Sequence, residues 1–173
     1  MEKYVPDIYQ KNIYTINYDS LILRGIHCLL FDLDNTLVPI NEKDAREENK
    51  KLIKELKEKG FKIIITSNSI KARVKPIADQ LNIDYLSNAK KPSTEKLINL
   101  INEYKFGLDQ IAIIGDSMMD DVVCGNKIGI TTVLTDQIDK KEFPFARIKR
   151  IKEKKIQKKL RDHDLFTKGR YYE

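Results

Sequence analysis

The sequence predicts an α/β domain in which helices cover both faces of a mostly parallel central sheet, giving three layers. From residue 26 onward, short apolar runs alternate with longer amphipathic segments, as in consecutive βα units. The apolar runs show little polar alternation, which is typical of strands buried on both faces. A chain of 173 residues, 41% hydrophobic and 34% charged, suits one compact domain and leaves no room for a second full one.

Five strands and four helices account for most of this domain. The predicted strands cover 26–31, 61–66, 83–86, 111–114 and 131–134. Apolar side chains at helical spacing predict helices at about 45–59, 69–81, 93–104 and 118–127. Gly60 and Gly129 stand where the first and fourth helices should end. Pro76 must either start a new turn of the second helix or kink it.

Two terminal segments flank these units. We expect residues 1–139 to form the domain, including an N-terminal arm at 1–25 that packs across the sheet edge, and 140–173 to form a basic tail. The tail holds 13 basic and five acidic side chains, a formal charge of +8. Because the net charge of the whole chain is +6, the body before the tail is close to neutral.

A basic helix is predicted within the tail, at 143–161. Its apolar side chains are spread over about half of the circumference of the helix and are Ile148, Ile151, Ile156 and Leu160. Three interpretations are open. In the first, the helix packs its apolar side on its own domain. In the second, it lies on anionic lipid, where each nearby basic residue contributes about 1 kcal/mol to the free energy of binding. In the third interpretation, the basic side chains of the helix bind the phosphates of a nucleic acid.

The cysteines and the N-terminus indicate a cytoplasmic protein. Cys28 and Cys124 lie far apart in apolar or small-residue surroundings, which argues against a disulfide framework or a metal cluster. Residues 1–10 are polar and charged where a signal peptide would be apolar, and the longest apolar runs have the length of strands. We therefore expect no transmembrane segment, and at most a peripheral association with the inner face of the membrane.

The clearest chemical signal is the sequence Asp-Leu-Asp-Asn-Thr at 32–36, directly after the first strand. Open α/β sheets bind their ligands at this carboxyl edge. In an extended backbone Asp32 and Asp34 point the same way while Leu33 points into the core, so two carboxylates meet at one place. Like charges so close together require a cation such as Mg²⁺, which prefers hard oxygen ligands.

This segment resembles the first motif of the haloacid dehalogenase (HAD) superfamily of phosphohydrolases, which have a Rossmann-like fold. Three further motifs of that superfamily follow in order, each after a predicted strand or before a predicted helix. They are Ser67-Asn68, Lys91, and Asp116 with Asp120-Asp121. Each one alone could be a helix cap, a turn or a solvated surface charge. Their joint occurrence favours the phosphohydrolase interpretation.

The resemblance implies a role for each acidic residue. Asp32 would be the nucleophile that forms an aspartyl-phosphate. Asp34 would be the general acid that protonates the leaving oxygen and then activates water. Mg²⁺ would be held by Asp32, the backbone carbonyl of Asp34, Asp116 and one of two adjacent aspartates, of which we prefer Asp121 to Asp120.

The other motif residues would bind the phosphate. Ser67 and the Asn68 amide, at the start of a helix, would hold phosphoryl oxygens, and Lys91 would stabilise their charge. One helix and one strand fill the interval from Asp34 to Ser67, and another such pair fills the interval to Lys91, so no cap domain fits in either. An uncapped site takes its specificity from a large partner, such as a protein, a nucleic acid or a lipid surface.

A closer resemblance covers nearly the whole chain. Val5-Pro6-Asp7, Arg24-Gly25-Ile26 and Ala89-Lys90-Lys91-Pro92 are similar to the YqeG-type phosphatases of subfamily IIIA, whose mitochondrial relatives are phosphatidylglycerophosphate (PGP) phosphatases. The resemblance implies a Mg²⁺-dependent phosphatase that acts on PGP, a lipid headgroup at an anionic membrane surface. The alternatives are a capless phosphatase for nucleic-acid or protein phosphates and a catalytically weak RNA- or ribosome-associated binding protein.

Overall fold

A six-stranded sheet, parallel throughout, forms the centre of the computed structural model, which describes residues 1–173. Its strands are β1 (Ile8–Gln10), β2 (Cys28–Phe31), β3 (Lys62–Thr66), β4 (Asp84–Leu86), β5 (Ile111–Gly115) and β6 (Thr131–Thr135). The helices are α1 (Tyr18–Leu23), α2 (Glu47–Glu58), α3 (Lys71–Leu81), α4 (Glu95–Tyr104), α5 (Val123–Ile128) and α6 (Ala146–Asp162). All five strands predicted from the sequence are present.

Helices cover both faces of the sheet, which confirms the predicted three-layer α/β fold. Along β2, Leu29 and Phe31 belong to the same buried cluster as the apolar residues of α2 and α3. Cys28 and Leu30 belong to a second cluster, with α4 and α5. Because successive side chains of a strand point to opposite faces, burial on both faces explains the continuous apolar runs. No cap domain is inserted between β2 and β3 or between β3 and α4.

The strand order, β1-β6-β5-β2-β3-β4, determines where the site lies. β2 is in the middle of the sheet, with β3 on one side and β5 on the other. Leu30 is paired with Ile64 of β3 and with Ile113 of β5, so the three strands end at nearly the same level. Parallel strands place their carboxyl ends at one edge, where ligands bind. The residues that follow these three strands therefore converge.

The N-terminal arm contributes an edge strand that was not predicted. β1 pairs with β6, with Ile8 beside Val133. On the other side of β1, the Tyr9 N–H donates to the Tyr172 carbonyl (2.8 Å), and the Tyr172 N–H donates back to Tyr9 (2.9 Å). A strand of three residues is too short to produce a periodic pattern in the sequence. The expectation that the arm covers the sheet edge was nevertheless correct.

Two predicted helices differ at their starts. α3 begins at Lys71 rather than near 69, because the Ser67 hydroxyl accepts the Ser69 N–H (3.1 Å) and holds the preceding residues in a turn. Pro76 lies inside α3 without ending it. The fourth predicted helix starts as a π-helical turn, Met118–Val122, before it continues as α5.

The basic helix is α6, and its apolar residues are divided between a buried and an exposed side. Leu160 is fully buried in a cluster with Tyr9 and Phe166. Ile148 and Ile151 lie on the outward side, exposed to solvent. Leu160, Ile156, Arg150 and Glu153 face the domain. Packing on the domain, one of the three interpretations left open by the sequence, therefore describes this side of α6 but not the side of Ile148 and Ile151.

Two expectations about the chain as a whole can be compared with the structure. None of its helices has the length and the apolar character that crossing a membrane requires. Cys28 and Cys124 are both free and buried, and neither belongs to a group of metal-binding side chains.

Candidate active site

Three aspartates meet at the carboxyl edge of the sheet. Asp32 follows β2, Asp116 follows β5, and Asp121 lies in the π-helical turn after β5. One carboxylate oxygen from each lies within 4.8 Å of the other two. Asp116 and Asp121 are buried, whereas the Asp32 side chain is 14% exposed and faces the pocket of the site. The structure thus brings together three of the residues predicted to bind metal.

Small and polar neighbours hold this cluster in place. The Thr36 hydroxyl donates to Asp116 Oδ1 (2.9 Å), which links the loop after β2 to the end of β5. The Ser117 N–H donates to Asp121 Oδ2 (3.1 Å). At Gly115 an added Cβ would overlap the Asp121 carboxylate. β5 must therefore end in glycine for Asp121 to reach the cluster.

Lys91 is the buried cation of the site. Its side chain is 1% exposed, and its Nζ donates to Asp121 Oδ1 (2.6 Å), Asp32 Oδ1 (3.1 Å) and the Thr66 carbonyl (2.6 Å). All three donors of the ammonium group are used, so its position is fixed. Lys91 offsets part of the negative charge of Asp121, which is buried, and of Asp32, which is largely buried.

Burial has the largest effect on the protonation of the three carboxyl groups. It raises the pKa of Asp32 to about 7, against the effect of Lys91. It raises the pKa of Asp116 to about 6, against Arg150, and the pKa of Asp121 to about 6, against Lys91. Burial would lower the pKa of Lys91, but the carboxylates of Asp121 and Asp32 hold it above its ordinary value. A further positive charge would therefore stabilise the deprotonated form of these carboxyl groups.

Asp34 lies beside the cluster and makes different contacts. Its Oδ1 accepts from Arg73 Nε (3.1 Å), and its Oδ2 accepts from the Ser69 hydroxyl. Arg73 also donates to the backbone carbonyls of Pro39 (3.1 Å) and Glu42. The carbonyl oxygen of Asp34 accepts no hydrogen bond. Arg73 and Ser69, which were not predicted as site residues, thus fix the carboxylate and leave this carbonyl free for a ligand.

The segment after β3 supplies polar groups with two different functions. Ser67 is buried beside Asp32, and its hydroxyl hydrogen has no acceptor. The side chain of Asn68 donates to the Lys91 carbonyl (2.9 Å) and accepts the Lys91 N–H (2.8 Å). The backbone N–H of Asn68 makes no hydrogen bond. The Asn68 side chain therefore positions Lys91, and its backbone N–H remains available for a phosphoryl oxygen.

The two adjacent aspartates of the fourth motif point in different directions. Asp121 belongs to the carboxylate cluster. Both oxygens of Asp120 accept from Lys149 of α6 (3.0 and 3.1 Å). This geometry agrees with the preference for Asp121 as the residue that faces Asp116.

The C-terminal helix contributes one wall of the site, which was not predicted. Arg150 donates to the Asp116 carbonyl (3.1 Å) and is ion-paired with the Asp116 carboxylate. It also pairs with Glu142 (2.7 Å) and Glu153 (3.2 Å). Glu153 is buried and accepts the Met118 N–H (3.2 Å). The available sequence signal was Glu153 itself, an acidic residue that interrupts a basic helix one turn after Arg150.

A pocket of about 120 Å³ lies between α6 and the sheet edge. Its lining includes the predicted residues Asp32, Asp34, Ser67, Asn68, Lys91, Asp116 and Asp121. The opposite wall includes Phe143, Phe145, Lys149 and Arg150. Phe143 and Phe145 are stacked with their ring centroids 5.5 Å apart, and Phe145 is 73% exposed at the mouth. The site is uncapped, as expected, but residues 142–153 enclose one side of it.

The residues of the cluster fit a hard divalent cation. The three carboxylates and the free Asp34 carbonyl offer oxygen atoms only, the ligands that Mg²⁺ prefers. Neither His nor Cys belongs to the cluster, which disfavours a site built for a softer metal.

Comparison with known proteins identifies the family. A family model described as mitochondrial PGP phosphatase matches residues 1–139. The chain belongs to this family. A relative from Bacillus subtilis (strain 168), named Probable phosphatase YqeG, is 30% identical over 153 residues, which cover 88% of this chain and 89% of the relative. Phosphatidylglycerophosphate phosphatase 1, chloroplastic/mitochondrial, of Arabidopsis thaliana is 24% identical over 150 residues, 82% of this chain and 43% of that protein.

Solved structures share the fold of this PGP phosphatase family member. The cobalt-bound deoxy-D-mannose-octulosonate 8-phosphate phosphatase of Haemophilus influenzae aligns with a TM-score of 0.52 at 18% identity, over 66% of this chain and 81% of that one. Identity at this level is evidence for the fold alone. Together with the family, it confirms the predicted resemblance: the chain is a HAD-type phosphatase of the YqeG type, a phosphoric monoester hydrolase.

Proposed function

We propose that this phosphatase is Mg²⁺-dependent, that it works through an aspartyl-phosphate on Asp32, and that its substrate is PGP. The observation that carries the chemistry is the cluster of Asp32, Asp116 and Asp121 around Lys91 at the carboxyl edge of the sheet. Asp32 is the most exposed member of this cluster, with 14% of its side chain exposed against 2% for Asp116 and 3% for Asp121, so it is the one that a substrate reaches most directly.

In the first step, an Asp32 carboxylate oxygen attacks phosphorus, and the bond from phosphorus to the leaving oxygen breaks. Asp34 donates a proton to that oxygen, so the product leaves as a neutral hydroxyl group. Ser69 and Arg73 hold the Asp34 carboxyl next to the pocket. The covalent intermediate divides one difficult hydrolysis into two easier steps.

In the second step, Asp34 takes a proton from water, and the water oxygen attacks the phosphorus of the aspartyl-phosphate. Inorganic phosphate leaves, and Asp32 regains its carboxylate. The Ser67 hydroxyl and the Asn68 backbone N–H bind phosphoryl oxygens in both steps, because both donors are free and line the pocket. Lys91 stabilises the charge on those oxygens from its buried position.

Mg²⁺, held by Asp32, Asp116, Asp121 and the Asp34 carbonyl, would neutralise the charge between the enzyme and the phosphoryl group. The raised pKa values of the carboxyl groups indicate that the cluster lacks sufficient positive charge of its own. Arg150 stays on the outer side of Asp116, where it keeps this carboxylate in position.

Three observations support PGP as the substrate. The family and the Arabidopsis relative carry this activity in their names. The absence of a cap leaves the pocket open to a headgroup presented by a larger body. The wall formed by α6 brings basic side chains, among them Lys149, to the pocket. We place the enzyme in the cytoplasm at the inner face of an anionic membrane, where it would meet the PGP headgroup.

A comparison of substrates tests this proposal. Purified full-length protein is assayed with Mg²⁺ on PGP, a 3′-phosphorylated oligonucleotide, a phosphopeptide and p-nitrophenyl phosphate. We expect PGP to be the best substrate, EDTA to abolish turnover, and Asp32→Asn to lower kcat at least about 10³-fold on all substrates. Activity that survives Asp32→Asn would contradict the nucleophile, and a clear preference for the oligonucleotide or the phosphopeptide would contradict the substrate.

A further inference from the structure

The outward side of α6 carries large apolar side chains that are exposed to solvent. Ile148 is 64% exposed and Ile151 is 58% exposed. Phe145, directly before the helix, continues the same spacing of three residues, so the three lie on one side. The inward side, with Glu153 and Leu160, is already packed on the domain. A second, unoccupied surface therefore runs along the same helix.

Basic residues surround these apolar side chains. Apart from Arg161, which pairs with Asp162, the exposed ones on α6 are Arg147, Lys152, Lys154, Lys155, Lys158 and Lys159. None of the six forms an ion pair, whereas Lys149 and Arg150 on the inward side do. The outer face of α6, defined as Phe145, Ile148 and Ile151 with these six basic residues, is thus both apolar and strongly positive.

This combination matches an anionic bilayer better than a nucleic acid. Positive side chains are attracted to acidic headgroups, and apolar side chains of an interfacial helix enter the boundary between headgroups and acyl chains. A phosphate backbone would attract the same positive charges, but it would offer nothing to Ile148 and Ile151. The exposure of the two isoleucines is therefore the observation that separates these partners.

The outer face of α6 is also next to the pocket. Phe145 belongs to both, and Lys149, one residue after Ile148, lines the pocket. A bilayer on the outer face would therefore lie beside the opening through which a headgroup phosphate has to enter.

We propose that the outer face of α6 is a docking surface for an anionic phospholipid bilayer. The inference rests on the proposed function, because an enzyme that hydrolyses PGP has to meet the membrane that holds it. Binding to vesicles is, however, measured without turnover and without PGP. A failure of docking is therefore distinguishable from a failure of the substrate assignment.

The test is co-sedimentation of the full-length protein with phosphatidylcholine vesicles, with and without phosphatidylglycerol. One double variant, Ile148→Gln with Ile151→Gln, removes the apolar part, and Leu23→Gln is its control because Leu23 is 89% exposed on α1. A second double variant, Lys152→Gln with Lys155→Gln, removes charge, and Lys51→Gln with Lys54→Gln on α2 is its control. Glutamine keeps the helix propensity of these exposed positions.

We expect binding only to the vesicles with phosphatidylglycerol, weakened by salt. Loss of the two lysines should weaken vesicle binding roughly 30-fold, because each charge near the surface contributes about 1 kcal/mol, or about fivefold in affinity. Loss of each isoleucine should weaken it roughly tenfold. The controls should bind like the unchanged protein, and all variants should keep their turnover of p-nitrophenyl phosphate.

Two outcomes would overturn the proposal. One is vesicle binding that the isoleucine variant and Leu23→Gln reduce equally. The other is salt-sensitive binding to an RNA oligonucleotide in the absence of any binding to phosphatidylglycerol vesicles, which would assign the outer face of α6 to nucleic acid.

Discussion

Arg150 of the C-terminal helix is ion-paired with Asp116 at the end of β5, and it also donates to the backbone carbonyl of the same residue (3.1 Å). The carboxylate cluster is thus completed by a residue that lies outside the motif-bearing core. Glu142 and Glu153 hold the guanidinium from its other side. The position of α6 is therefore tied directly to the geometry of the site.

Replacing Arg150 with Met should destabilise the metal-free protein by about 3 kcal/mol, because a buried carboxylate loses its partner. Arg150→Lys should destabilise the protein less than Arg150→Met, because it keeps the positive charge but loses the paired contacts of the guanidinium. Urea unfolding measures both. Saturating Mg²⁺ should recover part of the loss, because the cation would supply the missing positive charge.

Lys158→Met is the matched control for Arg150, because Lys158 is an exposed, unpaired basic residue on the same helix. Its unfolding free energy should stay within about 0.5 kcal/mol of the unchanged protein. If Arg150→Met behaved like this control, the ion pair with Asp116 would have no structural importance.

Gly115→Ala should damage the metal site while leaving the fold intact. The added methyl group would occupy the space of the Asp121 carboxylate, which must then move away from Asp32 and Asp116. We expect a destabilisation of roughly 2 kcal/mol and Mg²⁺ binding weakened about tenfold or more. Calorimetric titration with Mg²⁺ measures the affinity. Gly107→Ala is the control, because there the new Cβ meets only the flexible side chains of Asp109 and Gln110. Equal Mg²⁺ affinities in the two variants would refute the steric explanation.

Asn68→Ala should loosen Lys91 by removing both hydrogen bonds between the amide side chain and the Lys91 backbone. The cost should be roughly 2 kcal/mol of stability, at about 1 kcal/mol for each bond. Turnover should fall mainly in kcat, because Lys91 acts on charge that develops in the transition state. Asn99→Ala, at an exposed position of α4 without side-chain hydrogen bonds, should change neither quantity. A fall confined to KM would contradict this role.

The stability of the metal-free protein should decrease as pH rises from about 5 to about 8. Burial raises the pKa of Asp32 to about 7 and those of Asp116 and Asp121 to about 6, above the unfolded value near 4. The folded state therefore binds these protons more tightly, and this stabilisation, complete below about pH 4, is lost as pH rises through the folded values. Urea unfolding at several pH values with EDTA measures the trend.

Mg²⁺ should reverse that trend, because it binds the deprotonated carboxylates and stabilises the folded state most at high pH. The gain in unfolding free energy on adding Mg²⁺ should therefore be larger at about pH 8 than at about pH 5. A gain that is independent of pH would mean that these carboxyl groups do not bind the metal.

The central fold and the motif positions were predictable because their signals are local. Strands buried on both faces need continuous apolar runs, and the runs before Asp32, Ser67 and Asp116 are long enough to be recognised. Parallel strands then place the following residues at one edge, so the convergence of the motifs follows from topology.

The features that were missed depend on contacts between distant parts of the chain. Arg150 is one basic residue in a run of many, and only packing reveals that it faces Asp116 while Lys152 faces solvent. β1 is a strand because β6 and Tyr172 lie on its two sides, not because of its own three residues. The orientation of Ile148 and Ile151 likewise depends on which side of α6 packs against the rest of the domain.

The paired backbone hydrogen bonds between Tyr9 and Tyr172 have a consequence for biosynthesis. Tyr172 follows Tyr9 by 163 residues along the chain, so the outer edge of β1 has no access to this partner until the segment after α6 has been translated. The same holds for Asp116, which emerges well before Arg150. Nascent chains must therefore carry an unfinished edge strand and an unbalanced acidic centre until α6 and the segment after it have left the exit tunnel.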